Sequence, residues 1–157
     1  MAYPDDLLRL ARIVVGMEPS SQANRRRAVS TAYYAVFHLL ISEATANWAN
    51  VDARSALGRA FDHGTMKAAS DRIVRSKLFP YVGEDPQIVA ALRMVGLSFF
   101  RLQDARHFAD YIFASDLDGS DAIDQVELAE EVFAIWPSIS RAQITQDYLV
   151  SLFVKTR

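Results

Sequence analysis

The chain has no cysteine, which excludes disulfide bonds, thiolate zinc sites and a cysteine nucleophile. Glycine and proline are scarce as well: 6 Gly and 5 Pro are too few for a loop-rich β-sandwich or a low-complexity tail. The 3 histidines are far apart in the sequence, and there is no paired-ligand motif and no glycine-rich phosphate loop. We therefore expect neither a bound metal nor a cofactor.

An excess of basic charge is also missing. The net charge is −2, so no global field attracts nucleic acid, and any contact with RNA or DNA has to come from a local patch. Only Lys67, Lys77 and Lys155 among the 17 basic residues are lysines, and the arginines suit planar, bidentate contacts. No apolar run reaches the roughly 18 residues of a membrane span, and no signal-peptide pattern is present. We expect a cytoplasmic protein without membrane association.

What the chain does contain is helical periodicity. Apolar residues recur at three- and four-residue intervals almost throughout, and Gly and Pro fall at the joints. This predicts an all-α helical bundle of about five to six helices, two of them long, in one domain over residues 1–157. Pro137 is expected to break or kink a helix, residues 78–86 to form a loop, and His63, before a glycine, to cap a helix C-terminus. The predicted helices cover residues 5–17, 21–47, 53–75 with a break near residue 63, 87–114, 121–136 and 138–154.

The helix predicted over residues 87–114 carries two charges on an apolar stripe. At about 100° per residue, Arg106 and Asp110 share a face with Leu92 and Phe99. Because burial of an unpaired charge is costly, we expect the two to be paired and at least one to be mostly buried. Two interpretations remain open: an ion pair of the bundle, or a polar wall of a binding or active site.

Arg101 and His107 lie on the same predicted helix, with five residues between them. On a straight helix their side chains are about 120° apart, so they line one cleft only from two sides, as when a second subunit closes it. A neutral histidine acts as a general base and an arginine holds a phosphate bidentately, which suits phosphodiester chemistry. The alternative is two solvated or locally paired side chains.

The predicted second helix has a polar stripe of its own, formed by Arg27, Thr31, Tyr34, His38 and Thr45. The stripe is either a groove for a ligand or an interior row whose rings pack with hydrogen-bonded polar tips. The three arginines at residues 25–27 are either a local phosphate-contacting patch or one inward-packing and two solvated side chains.

Three segments resemble the signatures of one family. Residues 26–38 read RRAVSTAYYAVFH and are similar to the second-helix signature of HEPN domains, in which an Arg precedes a Tyr-Tyr-Ala-x-Phe-His run. Residues 102–111 read LQDARHFADY and resemble the fourth-helix signature, which ends in Ala-Asp-Tyr. Residues 63–66 read HGTM, as in one bacterial subgroup. The helix order agrees as well, so the resemblance covers residues 5–136.

The resemblance implies an HEPN-like bundle that forms a homodimer and works on RNA or nucleotides. Many HEPN proteins are similar to metal-independent endoribonucleases of toxin or phage-defence type, whose active site is an Arg followed after four to six residues by a His. Arg101 and His107 match that spacing and are the expected catalytic pair, although Leu102 stands where a polar residue is usual. The candidate binding residues are Arg27, Tyr34, His38, Arg106, Asp110 and Tyr111.

The resemblance also implies a possible protein partner. Some toxin members carry a Tyr two residues beyond the His, and a partner nucleotidyltransferase antitoxin modifies it. Tyr111 lies four residues beyond His107, which departs from that pattern. Other relatives have no known catalysis, so the alternative function is a non-catalytic module that binds RNA, nucleotides or a protein.

Overall fold

The computed structural model describes residues 2–75 and 83–155, and the regular structure in these ranges is entirely helical. The all-α prediction is confirmed there, and the two longest helices have 25 and 26 residues. Residues 78–82 of the loop expected over residues 78–86 lie outside the described residues. The helices are α1 Tyr3–Val15, α2 Gln22–Ala46, a 3₁₀ turn Val51–Ala53, α3 Arg54–Gly58, α4 His63–Arg75, α5 Pro86–Tyr111, α6 Gly119–Ile139 and α7 Gln143–Ser151.

The expected break at Pro137 is wrong. Helix α6 runs through Pro137 to Ile139, and α7 begins only at Gln143. Proline removes one hydrogen bond to the preceding turn, but in the last turn of a helix only that one bond is lost. Helical bonding resumes at once, since the Ser140 amide donates to the carbonyl of Trp136 at 2.9 Å.

The expected role of His63 as a C-terminal cap is also wrong, because His63 is the first residue of α4. Asp62 precedes it and acts as the N-terminal cap: its carboxylate accepts from the Thr65 amide at 2.8 Å and from the Thr65 hydroxyl at 2.7 Å. These bonds, the amide first, hold the pKa of Asp62 below its usual range. The glycine that followed His63 in the sequence lies inside the first turn rather than beyond a helix end.

The chain forms two compact units. The first unit comprises Met1–His38 and Arg101–Ala134, and the second comprises Leu39–Phe100 and Ile135–Arg157. In the first unit, small buried residues such as Ala109 and Ala122 let helices approach closely around Val29. The Arg12 guanidinium bonds both carboxylate oxygens of Glu130, with Nε to Oε1 at 2.7 Å, and joins α1 to α6. This contact raises the pKa of Arg12 and lowers that of Glu130.

The second unit has a buried polar contact at its centre. The hydroxyls of Ser70 on α4 and Tyr148 on α7 are 2.8 Å apart, and both residues are fully buried. Burial raises the pKa of Tyr148 above its usual range. On α5, Gly96 lies so close to α4 that an added Cβ would be 3.1 Å from the Ser70 carbonyl oxygen. A larger residue at Gly96 would therefore push these helices apart.

Arg26 caps the end of α5 within the first unit. Four carbonyl groups at the end of α5 and in the segment after it face its guanidinium, and the rings of Phe108 and Phe113 lie 5.7 and 5.4 Å from its carbon. A cation at this end of the helix also interacts favourably with the negative end of the helix dipole. The Nη atoms donate to the carbonyl oxygens of Phe108, Ala109, Ile112 and Ser115 at 3.2, 3.0, 2.8 and 2.6 Å.

The other two arginines of the run behave differently. The Arg25 side chain donates to the Ser20 hydroxyl at 2.9 Å and to the Leu117 carbonyl at 3.2 Å. Arg27 is exposed, and no described residue forms a hydrogen bond or ion pair with it. Arg26 is therefore the one arginine of the run that packs inward. Of the three, only Arg27 remains available to a phosphate.

We predict that Arg26→Ala lowers the free energy of unfolding by about 2–3 kcal/mol, because several charge-assisted hydrogen bonds and a favourable dipole contact are lost together. Urea denaturation measures this. Arg27→Ala is the matched control, and we expect it to change the free energy of unfolding by less than about 0.5 kcal/mol. Equal urea midpoints for the two variants would contradict the cap.

Candidate functional site

A groove of about 530 Å³ opens between α1 and α2 in the first unit. Arg27, Thr31, Tyr34 and His38 line one side of it, as expected of one interpretation of the α2 stripe, because residues at these intervals share a helix face. Thr45 does not line the groove. It belongs to the second unit, and its hydroxyl donates to the Ile41 carbonyl of its own helix at 2.9 Å.

The α1 side of the groove was not predicted. Tyr3, Leu7, Leu10 and Val14 line it, at the same intervals as the α2 residues that face them. The sequence carried this signal, but the predicted helix began at residue 5 and so left out Tyr3. The observed helix begins at Tyr3 because Pro4 is accommodated in its first turn, where a missing amide costs nothing.

Aromatic rings form one end of this groove. The His38 ring lies 5.1 Å from the Tyr3 ring in an edge-on contact and 6.3 Å from the Tyr34 ring. The Phe37 ring also contacts His38, with the ring centres 5.3 Å apart, so these rings pack against one another at the end of the groove. Tyr34 and His38 are only partly buried and line the groove, whereas Thr31 and Thr45 of the same stripe are buried.

The polar groups of the groove lie toward Arg27. Ser30 is 8% exposed, and its hydroxyl donates to Asp110 at 3.3 Å. Thr31 is 6% exposed, and its hydroxyl has no hydrogen-bond partner among residues 2–75 and 83–155. The Thr31 hydroxyl is not one of the enclosed polar groups that lack a partner, so it stays accessible and can donate to a ligand in the groove.

A second cavity, of about 470 Å³, lies on the other side of Arg27 and Ser30, which line both cavities. Asp110, Tyr111 and Phe113 contribute to its wall. The Tyr111 and Phe113 side chains are 59% and 73% exposed. The sequence predicts a helix to residue 114, but α5 ends at Tyr111, so Phe113 lies beyond the helix.

The expected pairing of Arg106 with Asp110 is confirmed. An Arg106 Nη atom lies 3.8 Å from an Asp110 oxygen, and Arg106 is 9% exposed. The guanidinium also lies 5.1 Å from the centre of the Tyr33 ring. Burial raises the pKa of Tyr33 above its usual range, and nearby Arg106 partly opposes that effect. Arg106 is therefore part of the packing, while Asp110 reaches the second cavity.

Arg101 and His107 are both exposed on the last three turns of α5, which is uninterrupted between them. Their directions differ by about 120° on a straight helix, so the two side chains of one protomer do not meet over one substrate atom. The His107 ring lies 5.1 Å from the Tyr111 ring. No described residue forms a hydrogen bond or ion pair with Arg101. Leu102, next to Arg101, is fully buried.

No group of three or more His, Asp or Glu side chains in the described part of the chain is arranged to hold a metal ion. No helix within those same residues is long and apolar enough to cross a membrane. The chain matches no family model, no curated protein and no solved structure.

We predict that Arg106→Ala lowers the free energy of unfolding by about 3 kcal/mol, because it leaves Asp110 without its cation and removes the packing on Tyr33. Arg106→Met keeps part of that packing and should lower the free energy of unfolding by less. The double variant with Arg106→Met and Asp110→Asn should lose less free energy of unfolding than the two single variants together, since no charge is then left unpaired. Chemical denaturation of the four variants measures this, and an unchanged midpoint for Arg106→Ala would show that the pair contributes nothing.

Proposed function

We propose that the chain is a cytoplasmic HEPN-type protein, folded as an HEPN-like bundle, that acts on RNA as a homodimeric, metal-independent endoribonuclease of toxin or phage-defence type. One observation carries this proposal: Arg101 and His107 are both exposed on α5, and no described residue pairs with Arg101. A structural ion pair or core histidine would be covered. Two such residues left open to solvent, at a family-like spacing, are available to a substrate.

The proposed reaction needs a base and a cation. His107 accepts the proton of a ribose 2′-hydroxyl, and the 2′-oxygen then forms a bond to the adjacent phosphorus. The bond from phosphorus to the 5′-oxygen breaks, and the proton returns to that leaving oxygen, which gives a 2′,3′-cyclic phosphate and a free 5′-hydroxyl. Arg101 keeps its charge throughout and stabilises the negative charge that develops on the phosphate oxygens.

The proposed homodimer follows from the directions of these two side chains. Because they diverge by about 120° within one protomer, Arg101 of one subunit and His107 of the partner subunit meet more readily than the two residues of one chain. Helix α5 also leaves apolar side chains partly exposed beside its buried stripe. These residues are Val89, Leu97, Phe100 and Phe108, and Ile112, directly after the end of the helix, is 39% exposed.

The second candidate function is a non-catalytic module that binds RNA, a nucleotide or a protein. It is favoured by the groove beside α2, which combines an exposed arginine with aromatic rings and needs no reacting group. A nucleotidyltransferase antitoxin is a further proposed partner. The Tyr111 side chain is 59% exposed, so its hydroxyl is open to modification despite its shifted position relative to His107.

We predict that the protein cuts single-stranded RNA in EDTA, and that His107→Ala lowers the rate by at least about a hundredfold because the general base is lost. Arg101→Ala should lower the rate by a similar factor through loss of charge stabilisation. Arg141→Ala, which removes another exposed arginine, is the control and should cut normally. Intact RNA with the wild type, or equal rates with His107→Ala, would replace the nuclease with the binding module.

We also predict a dimer in light scattering at micromolar concentration. Ile112→Glu should shift it toward monomer, since a charge on a buried apolar interface is costly, and should lower RNA cleavage in parallel. Val150→Glu places the same charge on another exposed apolar residue, 55% exposed, and should leave both unchanged. A monomeric wild type would contradict the composite site.

A further inference from the structure

The two cavities beside α2 adjoin at Arg27 and Ser30, which line both of them. Along the helix they extend from Ala23 to His38. At about 1.5 Å per residue, the two cavities together, here called the α2 groove, span roughly 22 Å of the helix, which is longer than a single nucleotide or amino acid requires. All of it lies within the first unit.

Aromatic rings lie at both ends of this groove, with the free cation between them. Tyr34 and His38 line the first cavity, and Tyr111 and Phe113 line the second. Arg27, like Ser30, lines both cavities. An alternation of ring, cation and ring is the arrangement that suits a base, a backbone phosphate and the next base of a single strand, since every base presents a flat face for stacking.

The charges of the groove place the phosphate at Arg27. The Arg26 guanidinium is already occupied by four carbonyl oxygens, so it has few donors left for a ligand. The Asp110 carboxylate lines the second cavity and repels a phosphate there, but it accepts a hydrogen bond from a ribose hydroxyl or a base amino group. Thr31, buried and without a partner among the described residues, supplies a second donor on the Arg27 side.

We infer that this groove binds a short single-stranded segment of RNA, with one backbone phosphate on Arg27 and Thr31 and the flanking bases against the two pairs of aromatic rings. The inference rests on the proposed action on RNA and names the path of the strand. Continuity supports it, because Tyr111 lines the groove and its ring lies 5.1 Å from that of His107. A strand that leaves the groove past Tyr111 reaches the proposed general base.

The test measures binding of a fluorescent eight-nucleotide uridine oligomer by anisotropy, with His107→Ala as the parent protein so that the strand stays intact. In this background, Arg27→Ala should weaken binding by about tenfold and reduce the slope of log K against log salt by about one, because one phosphate contact is lost. Phe113→Ala should weaken binding with little change of slope, because stacking carries no counterion. Arg141→Ala, with the same loss of charge, should bind like the parent.

Four outcomes separate the groove from the enzyme. If the wild type cuts RNA and Arg27→Ala binds with unchanged affinity and slope, the groove is wrong and the nuclease remains. If Arg27→Ala weakens binding but the wild type cuts nothing, the groove stands and the binding module replaces the nuclease. If uridine monophosphate binds as tightly as the oligomer and equally depends on Arg27, the site takes a mononucleotide and the strand path is overturned. If the oligomer does not bind at all, the inference is wrong.

Discussion

The candidate site depends on the hydrogen bonds that the Arg26 guanidinium donates to the end of α5. A helix that stops at Tyr111 leaves carbonyl groups without partners, and one guanidinium from α2 supplies donors for four carbonyl oxygens there. Successive residues on a helix point about 100° apart, so Arg27 does not share the direction of Arg26 and takes no part in the cap. The same contact that closes the first unit thus leaves Arg27 in open solvent between two cavities.

A second arginine, Arg106, lies on the buried face of α5, opposite its exposed face. Its guanidinium lies on the Tyr33 ring and 3.8 Å from Asp110, so the buried face of the helix includes a cation that is paired with a carboxylate. The opposite face, an arc of about 120°, is exposed, and Arg101 and His107 are at its two edges. One protomer therefore presents these side chains to solvent in two directions, and a second copy is the simplest way to bring such groups to one phosphate.

The features that could be predicted from the sequence are those that depend on helical periodicity. The long helices, the stripe of α2 and the pairing of Arg106 with Asp110 all follow from residues three, four or seven positions apart, because such residues share a face wherever the chain is helical. Helix ends were less predictable: Pro137 fits a helix break as well as the last turn of a helix, and His63 fits either end of a helix. Least predictable was the role of Arg26, whose acceptors are more than 80 residues away and are carbonyl groups that any residue carries. The α1 wall of the groove was not predicted in full, because the predicted helix began two residues after Tyr3.

Any affinity for RNA in this chain has to be local. Helix α6 exposes Asp121, Asp124, Glu127 and Glu131 in the same unit that holds Arg27, and no Lys or Arg lies on that helix to balance them. An acidic face repels a polyanion over about 10 Å at 0.1 M salt, so a strand is disfavoured there and is held only where an arginine has no carboxylate partner. One phosphate contact on Arg27 gives weak, salt-sensitive binding. Two grooves in a homodimer raise the apparent affinity without any new contact, since the second one engages the same strand at a high effective concentration. The proposed dimer therefore serves binding as well as catalysis: it completes the pair of Arg101 and His107 and it doubles the few phosphate contacts that an acidic protein can offer.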